Sequence, residues 1–141
     1  MAASKLVVFA KTFIISSAIA IIGNFAVFTA FHSGSKIQVV IGNDKQSKDL
    51  APGVILLVTI ISLIIGLLLM WFIEKITVNG FKVWVVSAIV FALISISGPF
   101  TLDVDTKSKY VLSSMHIITL IAILIGAMMA RKPNEIPREK T

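Results

Sequence analysis

The residues able to do chemistry in this chain are few. There is no cysteine, which removes disulfides, thiol redox chemistry and thiolate metal sites. The side chains that stand out are His116 and Asn24, each inside a long apolar block, joined by Thr59 and Ser95 in two further blocks. An ionisable residue in such a setting is a functional candidate by default, and histidine titrates near neutral pH. Most Ser and Thr in apolar helices bond back to their own carbonyls; Asn24 and His116 cannot satisfy themselves in that way. Two readings follow. His116 centres a small polar pocket or a proton-active site, or a neutral His116 bonds Asn24 or Ser95 and pins its helix in register.

Metal and catalytic readings are weaker, and the residues point to no metal and no cofactor. The two histidines, His32 and His116, are separated in depth by at least two helical turns and make a poor ligand pair. Asp103-x-Asp105 lacks the later ligands and glycine of a calcium loop; a helix N-cap by Asp105 or Thr106 is the simpler role. No phosphate-binding glycine motif, nucleophile elbow or zinc-helix signature occurs. No catalytic set is recognisable, so a non-enzymatic role is favoured and an enzyme acting on lipid or quinone is the least supported alternative.

The elements that must position these residues are membrane spans. Of the 141 residues 57% are hydrophobic and only 14% charged, where soluble domains carry about 25%. Residues 12–31, 51–73, 83–102 and 110–130 contain no Asp, Glu, Lys or Arg, and about 20 apolar residues cross a bilayer core. The expectation is an all-α polytopic membrane protein: one domain over 1–141 forming an antiparallel four-helix transmembrane bundle. Its helices lie at about 5–31, 51–73, 82–97 and 109–130, with outer loops at 32–50 and 98–108 and a charged tail at 131–141. The first block is too long for a cleaved leader's apolar core of about 7–15 residues.

Local signals mark the boundaries. Pro52 suits a helix's first turn, Asn79-Gly80 forms a tight turn, and Gly98-Pro99 stops or kinks the third helix. Within 32–50, flanked by Gly34, Gly42, Asn43 and Asp44, residues 37–41 fit either a short strand or a segment lying on the bundle or bilayer surface. The net charge of +6 is divided among short loops, which excludes a nucleic-acid face. Lys5, Lys11, Lys75, Lys82, Arg131, Lys132, Arg138 and Lys140 share one side of a four-span topology. Lys36, Lys45, Lys48, Lys107 and Lys109 share the other. The excess puts both termini on the cytoplasmic side of the cell membrane. Trp71 and Trp84 then fall at the inner interface and Tyr110 at the outer one, as an aromatic belt.

In this topology Asn24, Thr59, Ser95 and His116, one from each helix, lie at similar depths near the outer side, roughly 9–12 Å below it at 1.5 Å per residue for the three whose helix ends are defined. Facing inward, they form one polar layer under the bundle's mouth. Two stripes of small residues, Ser16-Ala20-Asn24 and Ala122-Gly126-Ala130, allow close helix approach, within one bundle or between copies.

An Asn in the first helix, a Thr early in the second, Ser and Pro at the end of the third and Met-His early in the fourth are Asn24, Thr59, Ser95, Pro99, Met115 and His116 here. In this, nearly the whole chain resembles an uncharacterised prokaryotic family of small four-helix integral membrane proteins. The resemblance implies the fold and the interest of His116 and supplies no chemistry. The leading expectation is a non-enzymatic bundle whose outward-facing pocket around His116 binds a small or lipidic ligand through Asn24, Thr59, Ser95 and His116. A structural accessory subunit of a larger membrane complex, and a transporter or channel subunit acting as a homo-oligomer, are the alternatives.

Overall fold

In a computed structural model of the chain, residues 2–32, 36–40 and 47–131 are described. Four helices, α1 (Ala2–His32), α2 (Pro52–Ile76), α3 (Gly80–Thr101) and α4 (Thr106–Ala130), are joined by short links, with two strands between α1 and α2. All four helices are long and apolar enough to cross a membrane. The fold is the antiparallel transmembrane bundle of a multi-pass membrane protein. The expected tail at 131–141 lies outside the described residues except for Arg131, as do the turn residues Gly34, Gly42, Asn43 and Asp44.

Each helix neighbours the next in sequence, and α1 closes the ring against α4. That last seam is the closest. Along α1 the residues Thr12, Ser16, Ala20, Asn24 and Phe28 recur every fourth position and are all buried, the row that packs into a partner's groove. Ala122, Gly126 and Ala130 form the facing row of α4, also buried. A methyl group added to Gly126 would lie 2.9 Å from the Thr12 carbonyl oxygen and 3.0 Å from the Ser16 nitrogen, and against the Ser16 hydroxyl. The two small-residue stripes therefore meet within one chain, letting the backbones touch where lipid offers no hydrophobic force to join them.

Several boundaries differ from the sequence expectation. The third helix, expected over 82–97, runs through Pro99 to Thr101, so the outer loop expected at 98–108 shrinks to 102–105. Gly98 has no Cβ to clash with the proline ring, which removes part of the usual barrier to a helical residue before proline. Pro99 itself has no N–H for the Ser95 carbonyl. Helix α4 starts at Thr106, earlier than the expected 109, because Asp105 caps it: its carboxylate accepts from the Ser108 backbone N–H at 3.1 Å and from the Ser108 hydroxyl. That hydroxyl bond, the leading cause, holds the Asp105 carboxyl below its ordinary range.

Trp84 corrects the aromatic belt. It is fully buried, and its indole N–H donates to the Gly66 carbonyl at 3.0 Å. An indole inside the bundle needs an acceptor, and a mid-helix carbonyl of α2 supplies it. Trp71 and Tyr110 are exposed on the surface.

The segment expected as the first outer loop is built as a hairpin. Strand β1 (Gln38–Val40) pairs antiparallel with β2 (Ser47–Asp49), Val39 opposite Lys48, and Leu50 N–H donates to Ile37 O at 2.7 Å. Ile37 and Leu50 are buried in an apolar cluster with Phe28, Ile55, Val111 and Met115 at the end of the bundle that carries the strands. The Gln38 N–H donates to the Ser108 hydroxyl at 2.7 Å, tying the hairpin to the capped start of α4. Lys107 donates to the Phe31 carbonyl in the last turn of α1.

Candidate functional site

Asn24, Thr59, Ser95 and His116 line a single cavity of about 500 Å³ in the half of the bundle nearest the two strands. The four helices each contribute one of them, because α1 to α4 surround the cavity. Val39 and Leu50 of the hairpin segment form part of its cover, and Val54, Ile55, Leu112 and Met115 supply apolar wall. On the α2–α3 side the lining residues Val58, Ser62 and Gly98 are exposed on the bundle surface. The cavity thus opens sideways, between α2 and α3, on the lateral face of the bundle.

The four residues do not form one hydrogen-bonded chain. Asn24 is buried, with 2% of its surface exposed. Its Nδ2 donates to Thr59 Oγ1 at 2.9 Å and to Thr119 Oγ1 at 3.2 Å, joining α1 to both α2 and α4. Thr119 donates its own hydroxyl proton to the Met115 carbonyl at 2.8 Å, so toward Asn24 it acts as an acceptor. That fixes which way the amide faces. Asn24 Oδ1 is then left buried with no donor among the described residues. Orphaned buried acceptors are rare, and each calls for an explanation.

His116 pairs elsewhere. Its Nδ1 lies 3.1 Å from the Ser95 hydroxyl, across the α3–α4 interface. The hydroxyl can donate to a bare Nδ1 or accept from a protonated one; with Nδ1 bare, Nε2 carries the proton. Nε2 has no hydrogen-bond partner among the described residues, and His116 is half-buried at the cavity wall. Of the two alternative partners expected for a register-pinning His116, Asn24 or Ser95, it is Ser95 that bonds it.

Two residues outside the expected set belong to the site. Thr119 is the second anchor of Asn24, and it lies one turn after His116 on the same helical face. That spacing is the signal that identifies it. Ser62, one turn after Thr59, lines both this cavity and a second one of about 400 Å³. The second cavity runs on between Gly66, Leu69, Ala88 and Phe91, and shares Ser95, His116 and Thr119 with the first. The polar groups therefore form a waist between two apolar chambers.

Asn24 Oδ1 offers an acceptor, and His116 Nε2 a donor or acceptor set by its tautomer. Thr59, bonded as an acceptor, keeps a hydroxyl proton to donate. This set can hold a neutral polar group such as a hydroxyl or carbonyl.

Comparison with curated proteins finds no match to the chain, and neither does comparison with solved structures. A family match covers residues 5–133, all four helices and the whole polar layer, and on this the chain belongs to a family of unknown function (DUF6069).

Proposed function

We propose that this protein is a non-enzymatic membrane bundle that binds a lipidic ligand in its outer-half cavity. The ligand's hydroxyl or carbonyl group sits among Asn24, Thr59, Ser95 and His116, and its apolar parts fill the chambers on either side. One observation carries the reading: a buried asparagine, whose side-chain oxygen has no donor among the described residues, lines a cavity that opens sideways between α2 and α3 of a transmembrane bundle. In hydrocarbon an unsatisfied carbonyl costs several kcal/mol, and a ligand N–H or O–H would remove that penalty. The Lys and Arg excess of eight to five orients both termini to the cytoplasm, so the cavity faces the outer leaflet.

Native mass spectrometry of protein extracted gently from its own membrane tests this. The expected spectrum shows the chain with one small-molecule adduct. The adduct is lost in His116→Phe and weakened in Ser95→Ala. A chain that leaves the membrane bare, bound instead to one larger protein whether or not His116 is intact, would replace the pocket with an accessory subunit. A stable oligomer that conducts solute in proteoliposomes would replace it with a transporter or channel subunit.

A further inference from the structure

The opposite end of the bundle, which carries residues 5 and 131, holds a different kind of site. Arg131, at the end of α4, pairs with Glu74 of α2. Its guanidinium lies 3.9 Å from the centroid of the Phe81 ring and 3.6 Å from Met70 Sδ. This ion pair is fixed and neutral as a unit. Beside it opens a cleft of about 460 Å³ between α1 and α2, lined on its polar side by Lys5, Lys75, Arg131 and Glu74. Three cations and one carboxylate leave a net charge of +2 on the lining. Neither lysine forms an ion pair among the described residues; Lys75 rests with its ammonium 5.3 Å from the centroid of the Trp71 ring.

The walls of this cleft are apolar. Phe9 and Trp71 line it, and together with Lys5, Leu6 and Leu68 they also line an adjoining groove. Phe9 lies four residues further into the membrane than Lys5, about 6 Å at 1.5 Å per residue, and Leu68 lies about 10 Å deeper than Lys75. Charge at the mouth and an apolar track toward the bilayer centre match one molecule in two parts, an anionic headgroup and a hydrocarbon chain. Basic pockets between helices at a membrane surface recognise such headgroups.

We propose that this cleft binds an anionic phospholipid, its phosphate between Lys5 and Lys75 and one chain along Phe9 and Trp71. The site is separate from the cavity around His116 and does not depend on what that cavity holds.

The full chain in mild detergent, titrated with phosphatidylglycerol or phosphatidylcholine and read by native mass spectrometry, provides the test. Wild-type protein should retain phosphatidylglycerol in preference to phosphatidylcholine. The double variant Lys5→Gln/Lys75→Gln should lose about thirtyfold in affinity for phosphatidylglycerol, about fivefold for each lysine near the headgroups, with phosphatidylcholine unchanged. Lys11→Gln/Lys82→Gln, at exposed positions outside the cleft, should keep the preference. Equal losses in both double variants would reduce the effect to general charge attraction and overturn the site. Inorganic phosphate should fail to displace the lipid; displacement by phosphate alone would assign the cleft to a soluble anion and overturn the lipid reading. Each lysine is exposed, so an unchanged melting temperature in detergent is expected to accompany the loss. If the double variant misfolds, the single variants Lys5→Gln and Lys75→Gln carry the test, and wild-type affinity in both would refute it.

Discussion

The α1–α4 seam and the α2–α3 cleft are both made of apolar helices, yet one is closed and the other open. At the seam, small residues every fourth position bring Gly126 against the Thr12 and Ser16 backbone. Gly23 is similarly tight, with an added methyl lying 2.7 Å from Ile118 Cγ2. At the cleft, two cavities of about 500 and 400 Å³ share a polar waist, and an added methyl at Gly98 meets no side chain or neighbouring helix within 4 Å. In lipid nothing squeezes a gap shut, because acyl chains are as apolar as leucine. Closure has to be built residue by residue, and on the α2–α3 side it is not. The seam holds the bundle together, and the cleft leaves it room for a ligand.

The largest test of this contrast is at the seam. Gly126→Leu forces four carbons into a space where even one overlaps backbone atoms of α1. Backbone cannot rotate away as a side chain can, so the loss should reach or exceed the upper end of the usual overpacking range, about 3 kcal/mol. Thermal unfolding in detergent should show a large fall in melting temperature or no monodisperse protein. A normal melt would mean that α1 and α4 are not in contact.

A middle-sized effect belongs to Asn24, where seam and cleft meet. Asn24→Leu removes the bonds to Thr59 and Thr119. Interhelical bonds in membranes average about 0.6 kcal/mol each, so a loss of about 1 kcal/mol is expected in the ligand-bound protein, where the ligand satisfies the Asn24 oxygen. Ligand retention should fall together with stability. A variant that melts lower while retaining the same adduct would make Asn24 a structural clasp only.

These contrasts were unevenly legible in the sequence. The four spans were readable because lipid forbids charge over about 20 residues, and the polar layer because so few residues interrupt them. The two small-residue stripes were visible, but spacing alone did not say that they face each other. Pro99 misled the reading of α3 because its effect depends on the missing Cβ of Gly98, a local cancellation that a proline rule does not contain. Trp84 misled as well: its depth placed it near an interface, but depth says nothing about facing, and the Gly66 carbonyl that draws it inward is eighteen residues away. The hairpin was half visible as an apolar run at 37–41. Its partner Ser47–Asp49 is polar, and the pairing depends on Ile37 and Leu50 inserting together into the cluster around Phe28 and Met115. Thr119 is set aside in the sequence because a threonine that bonds its own helix reads as inert, although its hydroxyl oxygen still accepts from Asn24.

The smallest effect on stability should come from filling the cleft. Ser62 lines both cavities, is exposed on the bundle surface and makes no hydrogen bond among the described residues. Ser62→Leu exchanges an exposed hydroxyl for a three-carbon isopropyl group, and no polar partner is stranded. The change in stability should lie within about 0.5 kcal/mol, the usual range for surface substitutions. The same leucine narrows the passage at the polar waist, beside Ser95 and His116, and should abolish the adduct seen by native mass spectrometry. Two substitutions that each add bulk to an apolar bundle would then have opposite signatures. Gly126→Leu unfolds the protein, whereas Ser62→Leu leaves a folded protein that no longer holds its ligand. An intact adduct in Ser62→Leu would show that the cleft is not where the ligand resides, since a molecule lodged across that waist cannot share the space with the new side chain.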